Sequence, residues 1–148
     1  MYSTIVVGTD GSNHALDAIR RAGQLAERLE LPSVHVVCAI AADSSYTLRA
    51  VEGESGIVSE AAVPGSQAEE HIATAEATLA SHSVSTVPHI VIGDASNAIL
   101  EVADRVDADL IVVGARGLSA LQRFPRGSVS TRIAHHSTRD VLIVEHDD

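Results

Sequence analysis

The chain is expected to fold as an α/β domain with an open five-stranded parallel sheet, strand order 3-2-1-4-5, and helices on both faces. Three observations point there. Strand-like runs that are apolar at nearly every position, as strands buried on both faces should be, alternate with segments of helical period. The alternation runs through five strands and four helices, the signature of crossover connections that each bury one stripe of a helix against a sheet. Finally, 148 residues at 45% hydrophobic content fall within the size range of one globular domain with a sizeable core. Residues 1–148 are therefore read as a single domain.

Residues 4–9 (TIVVGT) form a β-branched run ending near a glycine. Ser12 is placed to cap a helix whose apolar positions Ala15, Leu16, Ile19, Ala22, Leu25, Ala26 and Leu29 keep helical spacing. Leu31-Pro32 ends it, and residues 34–40 (VHVVCAI) make a second strand. Residues 41–65 carry Asp, Ser, Gly and Glu without steady period and read as a flexible loop or flap. A helix with Ile72, Ala75, Leu79 and Ala80 follows, then a strand at residues 86–92 (TVPHIVI), whose Pro88 places it at or near an edge. Gly93-Asp94 turns the chain, Ser96 or Asn97 is the expected cap, and Ile99, Leu100, Val102, Ala103 and Val106 shape the third helix. The fourth strand spans residues 109–114 (DLIVVG), the last helix about 128–136, and the terminal strand 141–145 (VLIVE).

Charge and composition narrow the function. Twenty acidic against ten basic residues give a net charge of −10, which disfavours nucleic acid and anionic membrane surfaces. No apolar run approaches the roughly 18 residues of a membrane span. A lone Cys38 has no partner for an internal disulfide, and the N-terminal residues lack a basic segment and long apolar core, so a cytoplasmic protein is expected. Eight histidines show no HxxxH or HExxH spacing. Neither GxxxxGK(S/T) nor GxSxG occurs, no nucleophile and base pair stands out, and no metal site is expected.

The informative stretch is Gly114-Ala115-Arg116-Gly117, then nine residues, then Gly127-Ser128-Val129-Ser130, set between a strand and a helix. Glycines bring backbone N–H groups close to a phosphate, and a helix N-terminus adds unpaired donors and a favourable dipole. Any one of these glycines alone is a turn residue; together they describe an anion cradle. Gly114, Gly117, Gly127 and Ser128 are expected to hold a phosphate chain, with Ser128 and Ser130 hydroxyls and the Ser128 and Val129 amides as donors. Arg116 and Arg126 are candidates to pair with phosphate, or else solvated surface arginines. Asp10 ends the first strand either as a ribose acceptor or as a turn and capping residue. The order 3-2-1-4-5 puts the loop after the first strand beside the loop after the fourth, where sheets of this class bind ligands.

The spacing Gly114-x2-Gly117-x9-Gly127-Ser128 resembles the ATP-binding signature of the universal stress proteins, and residues 5–12 (IVVGTDGS), 34–37 (VHVV), Gly93 with Ile99, and 108–114 (ADLIVVG) are similar to further segments of that family. The resemblance covers nearly the whole chain. It implies a flavodoxin-like or adenine-nucleotide α-hydrolase-like domain, usually homodimeric. Carried over by position, it implies that Gly8, Thr9 and Asp10 contact the adenosine end and that Val36 meets the base through its backbone. Val113, Gly114, Arg116 and Gly117 would wrap ribose and phosphates, and Gly127, Ser128, Val129 and Ser130 the phosphate tail. It further implies ATP with Mg²⁺ or Mn²⁺ bridging its phosphates, cyclic AMP as a second ligand, and pairing of two chains through strand 141–145, an isologous contact at an otherwise open edge. Two places depart from the family pattern: Phe124-Pro125-Arg126 before the cradle glycine, and Thr138-Arg139-Asp140 where many members carry proline.

The expected function is thus regulatory adenine-nucleotide binding without strong catalysis. A slow ATPase or nucleotidyl transferase would need a base or a metal-binding carboxylate near the phosphates, and residues 114–130 contain no Asp or Glu. A nucleotide-independent interaction module is the third reading.

Overall fold

The computed structural model describes residues 1–40, 57–58, 67–116 and 127–146. Its elements are β1 (Ile5–Thr9), α1 (Asn13–Arg28), β2 (Ser33–Ile40), β3 (Ile57–Val58), α2 (Gln67–Ala80), β4 (Ser85–Ile92), α3 (Ala95–Arg105), β5 (Leu110–Gly114), α4 (Ser128–His136) and β6 (Asp140–Val144). The sheet order is β3-β4-β2-β1-β5-β6. The pairs β4·β2, β2·β1, β1·β5 and β5·β6 are all parallel, so the five long strands stand in the expected order. The sixth strand is an addition. β3 pairs antiparallel with Val91 and Ile90 of β4, inside the segment expected to lack structure. The rest of that segment, residues 41–56 and 59–65, lies outside the described residues, as does residue 66.

Each strand divides its side chains between two cores because alternate residues point to opposite faces. Ile5, Val7, Val34, Val36, Leu110 and Val112 pack with Ala18, Ala22, Ile72 and Leu79 of α1 and α2. Val6, Val37, Val91, Ile111 and Val113 pack with Ile99 and Val102 of α3 and Ile133 of α4. The strands are buried on both sides and therefore show no polar alternation in sequence. Pro88 has Val36 as its ladder partner, and β3 reaches only Ile90 and Val91, so the proline stands beyond the short edge strand. A missing N–H costs least at such a position.

The chain ends are tied in by carboxylates. Asp109 accepts hydrogen bonds from the Ser3 and Thr4 amides at 2.9 and 3.1 Å. Asp140 accepts one from the Tyr2 hydroxyl at 2.7 Å. Beyond β6, His146 pairs with Asp17 of α1, and its ring lies 4.9 Å from that of His14.

Between β2 and β4, on the face of α3, His35 Nδ1 and His89 Nε2 lie 2.9 Å apart with ring centroids 5.2 Å apart. Those two distances leave the nitrogens nearly on the line between the rings, which is the geometry of one proton shared head to head. A neutral pair satisfies it; two imidazolium ions set N–H against N–H. Burial, then the charges of His35 and Arg105, push the His89 pKa down to about 4, and burial lowers that of His35. The folded chain therefore binds protons less readily than the unfolded chain. The stability from this pair is complete above about pH 6.5 and is lost as pH falls toward 4. With solvent screening of the half-buried rings allowed for, the loss is about 1 to 2 kcal/mol. Urea titrations from pH 7 to 4.5 are expected to show a smaller decline for His89→Gln than for the parent chain. Parallel declines would remove the pair from the account.

Candidate functional site

At the carboxyl ends of β1, β2 and β5, a cleft of about 730 Å³, its open mouth included, lies between the first turns of α1, α3 and α4. The chain leaves β1 for β2 on one side and β5 for β6 on the other, so β1 and β5 flank the point where strand order reverses. A gap opens there because neighbouring crossovers lie on opposite faces.

The β1 loop is held by its own polar atoms. Asp10 Oδ1 accepts the Ser12 amide at 2.9 Å, and Thr9 Oγ1 accepts the Gly11 amide at 3.2 Å. Gly11 has φ +82°, and a Cβ there would lie 2.2 Å from His71 Nε2, so glycine meets both the turn and the imidazole above it. Both readings of Asp10 thus have a basis: it forms the turn and its residue lines the cleft. Cys38 lies beside this loop, Sγ 3.9 Å from His71 Nδ1, its thiol pKa pushed up to about 11 by burial and then by the charge of Asp10. It is a neutral, packed thiol at physiological pH.

Gly8 and Gly114 have packing roles that spacing alone does not disclose. A Cβ on Gly8 would lie 2.4 Å from Ile99 Cδ1, and one on Gly114 would lie 2.7 Å from the backbone carbon and oxygen of His14. Gly8 lets α3 close on β1, and Gly114 lets the first turn of α1 close on β5.

The three helix N-termini at the cleft are not equivalent. Ser12 Oγ caps α1 by accepting the Ala15 amide at 3.2 Å. Asp94, not Ser96 or Asn97, caps α3 by accepting the Asn97 amide at 3.1 Å. The Ser96 hydroxyl donates to the same carboxylate at 2.5 Å and Arg132 approaches it at 3.5 Å. These contacts hold the Asp94 pKa below the usual carboxylate range, Ser96 first and the Asn97 amide next. At α4 the N-cap is Gly127, which has no side chain to cap the helix as Ser12 and Asp94 do, and among the described residues no side-chain bond to the first α4 amides takes its place. The first amides of a helix have no partner within it, so the Ser128 and Val129 N–H groups stand at the cleft as donors, reinforced by the helix dipole.

Of the expected site residues, Gly8, Thr9, Asp10, Val113, Gly114, Arg116, Gly127, Ser128, Val129 and Ser130 all line this cleft. Gly117 and Arg126 lie outside the described residues, as do Phe124 and Pro125. Val36, expected to meet the base through its backbone, has its side chain buried in the core under α1 and α2, and the β2 residues lining the cleft are Val37 and Ala39. Ser130 lines the cleft but is 1% exposed, and its hydroxyl points to the Ala115 and Gly127 carbonyls, both at 3.0 Å. That proton is spent within the protein, which corrects its assignment as a phosphate donor. Sequence reading did not assign Ala95 and Ile99 to the site; they complete an apolar wall with Val37 and Ala39.

The arrangement suits an amphiphilic ligand with a flat apolar part and an anionic part. Among the described residues its lining holds one carboxylate, Asp10, and no histidine. Among the described residues no group of three or more His, Cys, Asp or Glu side chains could hold a metal ion. The lining does not fit an ion caged by the protein.

The profile of the universal stress protein family matches residues 1–145. A universal stress protein of Mycobacterium tuberculosis is 31% identical over 153 residues, spanning 97% of this chain and 96% of its own. Among solved structures, a universal stress protein in complex with cAMP is 31% identical, with TM-score 0.73 and 99% of each chain covered. The universal stress protein UspA from Lactobacillus plantarum, at 20% identity, shares the fold with TM-score 0.76 over 97% of each chain.

Proposed function

The chain belongs to the universal stress protein family, and we propose that it is a regulatory adenine-nucleotide-binding protein that holds ATP without strong catalysis. The observation that carries this reading is the N-terminus of α4, uncapped among the described residues, in a cleft where the other two helix ends are capped by Ser12 and Asp94. Phosphates sit on the Ser128 and Val129 amides, and the base lies against Val37, Ala39 and Ile99. Asp10 faces the ribose hydroxyls. Mg²⁺ or Mn²⁺ enters with the phosphates and is carried by their oxygens. Cyclic AMP is the second reading, favoured by the 31%-identical relative solved with that ligand. It offers the same base and ribose and a single anionic phosphate to the same helix end.

A ligand that binds only the folded state raises its stability with concentration. Saturating ATP with Mg²⁺ is expected to raise the melting temperature by about 5 °C or more. A melting temperature indifferent to both ATP and cyclic AMP contradicts the proposal.

We extend the reading to a homodimer formed through β6. That strand has β5 on one side and no strand on the other among the described residues, and Val141, Leu142 and Ile143 are half-buried. An apolar edge of this kind is a template for pairing. Sedimentation is expected to give about twice the chain mass of 15.4 kDa. A monomer at all accessible concentrations contradicts it.

A further inference from the structure

We propose that Ser130 is the positioning residue of the phosphate cradle, acting through its buried hydroxyl on Ala115 and Gly127 and not by touching the ligand. The inference rests on the nucleotide reading above and adds to it a reason why the open helix end stays open and aimed.

The structure has to hold the start of α4 against the end of β5 across a segment whose ends are Ala115 and Gly127. Ala115 is the junction. Its N–H donates to the Val144 carbonyl at 2.9 Å, which continues the β5·β6 ladder by one residue. Its carbonyl accepts the Gly127 N–H at 2.6 Å and the Ser130 hydroxyl at 3.0 Å. The same hydroxyl lies 3.0 Å from the Gly127 carbonyl, so it bridges the residue just after β5 and the helix cap.

A hydroxyl has one proton, and here two protein acceptors face it in a site only 1% exposed. Turning it toward a phosphate would give up the side-chain bond from α4 to Ala115, leaving the Gly127 N–H as the remaining bond to that carbonyl. Thr131 also bonds the Gly127 carbonyl, through its N–H at 3.2 Å and its hydroxyl at 3.0 Å, but these are contacts within one turn of α4. They shape the helix without attaching it to the sheet. The Ser130 to Ala115 bond crosses from helix to strand.

The clasp also sorts the donors. The Gly127 N–H is committed to Ala115, so the amides left for phosphate are those of Ser128 and Val129, and their direction follows from where the clasp holds the first turn. A displacement of well under 1 Å degrades such donors, because hydrogen bonds to charged acceptors are short and directional.

The test reads backbone amide exchange by NMR, followed by titration with ATP and with adenosine, which lacks the phosphates. In ligand-free wild-type protein the Gly127 amide is expected to be protected while those of Ser128 and Val129 exchange rapidly, and ATP should slow the latter two. In Ser130→Ala, Gly127 exchange is expected to accelerate and ATP affinity to fall about tenfold, with adenosine affinity within about twofold of wild type. Equal losses for ATP and adenosine would mean general destabilisation and overturn the proposal. So would a wild-type Gly127 amide that exchanges as fast as Ser128, a result that needs no variant to fold. Wild-type protein that binds neither ligand overturns the nucleotide reading instead. The two failures are distinguishable because the Gly127 measurement requires no ligand.

Discussion

Gly127→Asp is expected to leave the protein as stable as before, or more so, while weakening ATP binding at least about a hundredfold. The backbone permits the substitution. Gly127 has φ −71° and ψ 162°, nearly the values at Ser12, φ −73° and ψ 164°, and in the same extended region as Asp94, φ −68° and ψ 136°. Those two residues already cap helices at this cleft. An aspartate at the third end would do likewise, accepting the early amides of α4 and complementing the helix dipole, for a gain of about 0.5 kcal/mol. The same carboxylate takes the donors proposed for phosphate and sets a negative charge in its place. Adenosine, which makes no demand on the α4 end, should lose little. Stability and binding thus move in opposite directions, which an unfolding artefact cannot reproduce. An ATP affinity equal to that of the parent would show that the phosphates lie elsewhere.

Gly114→Val is expected to destabilise the fold by about 3 kcal/mol, lowering the melting temperature by roughly 10 °C. The cause is a backbone collision: the added Cβ would stand 2.7 Å from the carbon and oxygen of His14, and backbone in the first turn of a helix has no rotamer through which to escape. Relief requires α1 to move off β5, disturbing the Ser12 cap and the Asp10 turn that precede it. Gly8→Ala is the instructive contrast. Its collision at 2.4 Å is with Ile99 Cδ1, the far end of a flexible side chain, so the fold should suffer less while the apolar wall shifts. Urea denaturation of the two variants measures the difference. A Gly114→Val protein within about 0.5 kcal/mol of wild type would refute the packing role assigned to that glycine.

Features with a local cause could be read from the sequence. The last helix was expected at 128–136 and is found at Ser128–His136, because a glycine followed by serine and a helical run marks a start within a few residues. The terminal strand, expected at 141–145 and found at Asp140–Val144, is bounded by its own apolar run. Alternation of elements and the handedness of crossovers made a parallel sheet with helices on both faces legible, though they admit more than one strand order. Three things were not legible because their causes are distant. β3 has two residues and exists through pairing with Ile90 and Val91, more than thirty positions away. That Val37 and Ala39 are the β2 side chains at the cleft was not legible either, because where both faces of a strand are apolar no pattern says which face a residue takes. The hydroxyl of Ser130 finds its acceptor at Ala115, fifteen residues back, and nothing near it in sequence marks it as spent. The α3 cap fell on Asp94 because Gly93, at φ +135°, makes the turn immediately before it, and Ser96 then serves the carboxylate instead of the helix.

The central claim is that the uncapped end of α4 holds the phosphates of an adenine nucleotide. Calorimetric titration of nucleotide-free protein with ATP and Mg²⁺, repeated with cyclic AMP and with adenosine, tests it most directly. The account predicts saturable binding of one ligand per chain, with a phosphorylated ligand bound more tightly than adenosine. Absence of saturable heat with both ATP and cyclic AMP, or an adenosine affinity equal to theirs, would contradict it.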